Sequence, residues 1–145
     1  NNIFIDKIYQ DIKELNLSAT RFTTIGNAEN LDFIIYDKMG DLLDIYKYGK
    51  LAYVGCGFSK GVHNILEPAM QGSYVGYGPN ITLLDEAIKL HRNNLGKMIY
   101  SSSDFTDFVK TMDDIFLNDN KSKVLDLFRI DFKQFENMKN IIYEI

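Results

Sequence analysis

Residues 53–79, YVGCGFSKGVHNILEPAMQGSYVGYGP, hold six of the chain's ten glycines, both of its prolines, its single cysteine and one of its two histidines. Breakers at this density fit either a turn-rich connector or a loop built to grip an anion, and the order of the residues separates the two. Tyr53 and Val54 close the apolar run that begins at Leu51. The loop GCGFSKGVH follows, then Asn64 to Gln71 reads as a helix stopped by Gly72, and Ser73 to Tyr77 is apolar again. Strand, glycine loop, helix and strand in that order make a βαβ crossover, whose two strands run parallel.

Working outward, the same alternation continues on both sides. Ile3, Ile5, Ile8, Ile12 and Leu15 recur at helical spacing, with charged residues between them, and predict a surface helix over 3–15. Arg21 to Thr24 is a short β-rich run, and Asp32 to Tyr36 is apolar enough to predict a buried parallel strand. Asp41 to Tyr48 allows no more than two helical turns before Gly49 ends it. Beyond the quoted stretch, Leu83 to Asn93 predicts a helix and Lys97 to Tyr100 a strand. Asp104 to Leu117 predicts a helix capped by one of Ser101 to Ser103, and Val124 to Ile145 a helical tail. The expected fold is α/β, a Rossmann-like parallel sheet flanked by helices. Its expected division is a domain over 1–123, partial because it lacks its first strand and loop, and a tail over 124–145. A helix at the start, where a doubly wound sheet opens with a strand and its nucleotide loop, is the reason for expecting a partial domain.

The 145 residues suffice for one domain and its core. A net charge of −4 with no basic cluster argues against a nucleic-acid partner, because phosphate backbones demand a concentrated cationic face. No apolar run approaches the roughly 18 residues of a membrane span. One cysteine cannot form an internal disulfide. Cys56, between two glycines, reads as a small buried hydrophobe, and His91 as a surface helix residue. No spacing of His, Cys and carboxylates fits a metal site, and no cofactor is called for.

In open parallel sheets ligands bind beyond the carboxyl ends of the strands. Three loops qualify: Asp37-Lys-Met-Gly-Asp-Leu, where Gly40 permits close backbone approach; Gly55 to Asn64; and Gly76-Tyr-Gly-Pro-Asn. The second is the most informative. Its glycines free the backbone, the helix that follows would present unpaired N–H groups to an anion, and Glu67 lies one turn in, where a carboxylate can accept from vicinal hydroxyls such as those of a ribose. Plainer readings stand beside this one. A carboxylate near a helix N-terminus is favoured by the helix dipole whatever its use, a lone histidine such as His63 can cap or fill a cavity, and glycines also serve close strand–helix packing.

Taken together, Asp37-Lys-Met-Gly-Asp-Leu, Val54-Gly-Cys-Gly-Phe, Gly61-Val-His-Asn-Ile-Leu-Glu-Pro-Ala-Met-Gln-Gly and Tyr77-Gly-Pro-Asn resemble the C-terminal half of the 3-deoxy-D-manno-octulosonic acid (Kdo) transferases. The likeness runs from about Phe33 to the helix after Ser103. It implies the C-terminal half of a GT-B glycosyltransferase, binding CMP-Kdo through Met39, Gly40, Gly57, Lys60, Gly61, His63, Asn64 and Glu67. Met39 and Gly40 would lie against the cytidine, Gly61 to Asn64 near the phosphate, and Glu67 on the ribose. It further implies transfer of Kdo to a lipid A precursor in lipopolysaccharide biosynthesis at the cytoplasmic face of a bacterial inner membrane. The catalytic base, the acceptor site and the membrane contact would belong to an N-terminal domain outside this chain, so the chain alone is expected to be inactive. The same glycine loop and carboxylate would also suit a UDP-sugar transferase or epimerase, or a non-catalytic nucleotide-sugar-binding domain. Departures from the pattern are Cys56 for a glycine, Asp41 for a glutamate, Ser73-Tyr74 for a common pair ending in proline, and Gly76 for a bulky strand residue. The last predicts an irregular strand.

Overall fold

A computed structural model describes residues 2–26, 30–59, 61–62, 64–81, 84–113 and 119–129. The chain divides into two compact units, Asn1–Asp41 and Leu42–Ile145. In the first, helix α1 (Asn2–Glu14) precedes strand β1 (Ala19–Arg21), a 3-10 turn (Phe22–Thr24) and strand β2 (Phe33–Ile35). Ser18 and Asp32 join the starts of the two strands. The Ser18 N–H and hydroxyl both donate to the Asp32 carboxylate, at 2.8 and 2.7 Å, and the Asp32 N–H donates to the Ser18 hydroxyl at 2.9 Å. The strands pair in parallel, Ala19 beside Phe33 and Arg21 beside Ile35. Their direction is as expected, but β2 is not buried: Phe33 is 46% and Ile34 53% exposed. An apolar run specifies a strand, whereas its burial depends on what packs over it, and that is not local information.

The second unit is a three-stranded parallel sheet in the order β3-β4-β5, built from Leu51–Val54, Tyr74–Tyr77 and Gly96–Met98. Helices α2 (Leu42–Tyr46), α3 (Leu66–Gln71), α4 (Asp85–Arg92) and α5 (Ser102–Lys110) alternate with the strands, a 3-10 turn follows at Thr111–Asp113, and residues 120–129 form helix α6. Gly72 ends α3 in the left-handed region, with φ +106°, as its place after the apolar run predicted. Ser101 caps α5. It accepts from the Asp104 N–H, and the Asp104 carboxylate accepts in return from the Ser101 N–H, a reciprocal capping box.

Strand β4 is buried along its whole length, and its alternation sorts the core into two layers. Val75 and Tyr77 join Ile65, Ala69, Ala87, Leu90, Val124 and Phe128, from α3, α4, α6 and their flanks. Tyr74 faces the other layer with Ile99, Phe108 and Leu51, where α5 covers the sheet. The Tyr77 hydroxyl donates to the Ala87 carbonyl at 2.6 Å, and burial of the ring pushes its pKa well above the usual phenol value. The expected irregularity at Gly76 does not occur, since β4 keeps continuous register with both neighbours. A side chain there would meet Ile99 Cδ1 at 2.8 Å and Phe108 Cζ at 2.9 Å, so the phenylalanine occupies the space that a bulky strand residue would take. At the far end, Asn120 ties α6 to the α3–β4 turn: its side-chain amide donates to the Ser73 carbonyl at 2.9 Å. Residues Val124 and Phe128, at the head of the expected tail, thus belong to the core of the second unit. The rest of that tail, 130–145, lies outside the described residues.

Candidate functional site

Because β3, β4 and β5 are parallel and in register, their carboxyl ends emerge side by side, Val54 next to Tyr77 and Tyr77 next to Met98. The loop after β3 and the turn after β4 meet there backbone to backbone. An added Cβ at Gly57 would lie 2.5 Å from the Gly78 nitrogen, and one at Gly78 would lie 2.6 Å from the Gly57 carbonyl carbon, so each position admits only glycine. Asn80 closes the junction with three bonds to described residues. Its N–H donates to the Gly57 carbonyl at 2.9 Å, its carbonyl accepts from the Val62 N–H at 3.1 Å, and its side-chain amide donates to the Ser59 carbonyl at 3.0 Å. The loop also folds on itself, with the Ser59 and Gly61 N–H groups both donating to the Cys56 carbonyl at 3.1 and 3.2 Å.

Gly61 has φ +97°, which a side chain would strain. Cys56 has φ +67° and is exposed, correcting the expectation of a buried thiol: the position calls for a glycine conformation at the surface, and cysteine adopts it. His91 is exposed on α4 as expected.

Asn64 and Glu67 stand together at the start of α3, both exposed. The Asn64 side-chain carbonyl accepts from the Leu66 N–H at 3.1 Å and the Glu67 N–H at 3.2 Å. These amides were expected to be unpaired and open to an anion; instead the neighbouring side chain satisfies them. The Glu67 carboxylate stands in the first turn of α3 and lies near Tyr46 on α2, whose phenol is pushed above its usual pKa by burial first and by that carboxylate second. A mostly apolar cleft of about 330 Å³ separates the starts of α3 and α4, lined by Val62, Asn64, Ile65, Leu66, Leu84 and Glu86. Lys60 and His63 lie outside the described residues.

Met39 and Gly40 belong to the first unit. Their loop is braced at both ends. Thr23 donates through its N–H and hydroxyl to Asp37, at 3.0 and 2.7 Å, while Asp41 accepts from the Tyr36 hydroxyl at 2.8 Å and pairs with Lys38 at 2.7 Å. These bonds hold both carboxyls below the usual carboxylate range, Asp37 chiefly through the Thr23 hydroxyl and Asp41 chiefly through Lys38. Between them the tip is presented to solvent, with Met39 95% exposed and Gly40 at φ +106° with open space around it. Asn80 ends the third of the expected loops but was not among the residues expected to hold the nucleotide. Its signal was available in the sequence, as the polar residue directly after the Gly-Pro that leaves β4.

No family model matches the chain. In fold it matches the crystal structure of the C-terminal CMP-Kdo binding domain of WaaA from Acinetobacter baumannii, with a TM-score of 0.72 over 85% of this chain and 67% of that one at 18% identity. The fold is therefore the one expected, parallel α/β with helices flanking the strands, and it is shared with that C-terminal domain. In sequence the chain is similar to the 3-deoxy-D-manno-octulosonic acid transferases of Rickettsia prowazekii, 26% identical over 97% of this chain and 30% of the relative, and of Aquifex aeolicus, 48% identical over 35% and 15%. It is also 28% identical, over 75% of its length and 18% of the relative, to a bifunctional glycosyltransferase/methyltransferase of Fusobacterium nucleatum. The likeness to Kdo transferases read from the motifs is thus found again in whole-chain comparison and in fold. The chain spans less than a third of the length of each of these sequence relatives.

Proposed function

We propose that this chain is the donor-binding part of a glycosyltransferase that uses CMP-Kdo, with Met39, Gly40, Gly57, Lys60, Gly61, His63, Asn64 and Glu67 around the nucleotide. The observation that carries the proposal is Glu67, an exposed carboxylate in the first turn of α3, which follows a glycine loop locked at the carboxyl edge of a parallel sheet. A carboxylate so placed could accept from both ribose hydroxyls, and the glycine loop before it would face the phosphate. The relatives' names and the neighbouring structure's CMP-Kdo binding support the choice of donor. Residues 1–123 would form the donor domain, and the tail from 124 would be fastened to it by Val124 and Phe128, which pack in its core. The whole protein would pass Kdo to a lipid A precursor in lipopolysaccharide synthesis. The base that deprotonates the acceptor, and contact with the inner membrane, would be supplied by polypeptide outside this chain. Among the described residues no helix is long and apolar enough to cross a membrane.

Calorimetric titration of the chain with CMP, UMP and UDP tests the reading. CMP should bind selectively, and Glu67→Ala should weaken it by roughly 10- to 100-fold, the loss expected for hydrogen bonds to a charged acceptor. Preference for UDP would transfer the proposal to another nucleotide-sugar enzyme, and CMP affinity unchanged in Glu67→Ala would remove the assigned role of the carboxylate.

A further inference from the structure

The residue that holds the glycine loop in shape lies on a different segment, at the exit of β4. Among the described residues, Asn80 makes three hydrogen bonds to the loop that leaves β3: two through its backbone, to Gly57 and Val62, and one through its side-chain amide, to the Ser59 carbonyl. Its backbone carbonyl also lies 3.7 Å from where a Cβ on Gly61 would stand. The anchored residues span the loop from Gly57 to Val62, so the segment bearing Lys60 and Gly61 is bracketed at both ends by one residue. Any amino acid except proline could supply the two backbone bonds. Only a side chain with a donor at amide reach can supply the third, and that bond fixes the middle of a loop whose glycines would otherwise leave it free.

We infer that Asn80 is a positioning residue for the donor phosphate loop: it sets affinity for the nucleotide phosphate by fixing the loop's backbone, without itself being assigned to the ligand. The inference rests on the proposed CMP binding, but its structural half can be measured without any ligand. The backbone of a preorganised loop loses less freedom when ligand binds, so removing the side-chain donor should weaken binding even though the fold is retained.

The test uses the whole chain with Asn80→Asp, which keeps shape but sets an acceptor against the Ser59 carbonyl, and Asn80→Ser as a milder variant should the first fold poorly. Amide exchange followed by NMR should show Ser59 and Gly61 losing protection while Val75 and Tyr77 in β4 keep theirs, and the Ser59 carbonyl carbon should shift. CMP affinity, measured where both proteins are fully folded, should fall about tenfold in Asn80→Asp, the worth of one hydrogen bond to loop order. Unchanged exchange at Ser59 and Gly61 overturns the inference, and so does unchanged affinity in a variant whose loop has loosened. A loss of protection spread equally through β4 also overturns it, since Asn80 would then support the fold and not the loop. If the unaltered chain binds no CMP, the proposed function fails instead. The loop-exchange arm then decides by itself whether Asn80 fixes the loop.

Discussion

Cys56 shows how much one residue can leave unsaid. Its neighbours Gly55 and Gly57 advertise a bend, and its own chemistry suggested a small buried hydrophobe, yet it is exposed with φ +67°. A left-handed backbone costs an L-residue about 1–2 kcal/mol, and glycine avoids that cost while gaining freedom in the unfolded chain that offsets part of it. Cys56→Gly should therefore stabilise the second unit by roughly 0.5–1 kcal/mol, whereas β-branched Cys56→Val should destabilise it. Thermal unfolding of the two variants checks the sign, and a melting point lowered by glycine would count against the strained geometry. Asn64 shows a related limit. Its place at the helix start was legible, but whether its side chain or a ligand would satisfy the first amides was a matter of rotamer, which spacing does not encode.

At the scale of elements, the second unit was largely legible. Strand β3 falls on the run that predicted it, Gly72 ends α3, and a serine from the predicted trio caps α5. What could not be read were long-range complements. Gly76 looked like a weakness because its partner, Phe108, comes more than thirty residues later. Gly76→Val should destabilise by about 1–3 kcal/mol through overpacking, and Phe108→Leu in the same chain should recover part of that loss. Denaturant unfolding of the single and double variants measures the coupling, and simple additivity would mean that the two positions do not share the space. The cap of α5 makes a pH prediction. The Ser101 hydroxyl and the Tyr100 and Ser101 N–H groups hold the Asp104 carboxyl below its usual range. A depressed folded pKa gives stability that is complete above the unfolded value of about 3.9 and is lost as pH falls through the folded one. Asp104→Asn should accordingly flatten the acid side of the stability profile below about pH 4, and Ser101→Ala should cost about 1 kcal/mol at neutral pH.

At the scale of the whole chain, the core is unevenly shared. Every buried hydrophobic residue among those described lies at or after Val62, while in the first unit Ile3, Phe4, Leu15, Phe33 and Ile34 remain exposed. Hydrophobic burial is the main favourable term in folding, so a unit with no buried residue among those described draws chiefly on its hydrogen bonds and half-covered side chains. Hydrogen exchange should therefore find the amides of β3, β4 and β5 protected more than those of β1 and β2 by roughly two orders of magnitude, a gap of ~3 kcal/mol. Equal protection in the two units would refute this ranking. The same experiment reaches the function, because Met39 and Gly40 sit at the end of the weakly held unit and Glu67 in the strongly held one. If Met39 and Gly40 meet the cytidine as proposed, saturating CMP stabilises the conformation that binds it and should slow exchange in β2 as well as in the Gly57–Glu67 stretch. Slowing confined to Gly57–Glu67 would show that the nucleotide is held by the second unit, and would withdraw Met39 and Gly40 from the site.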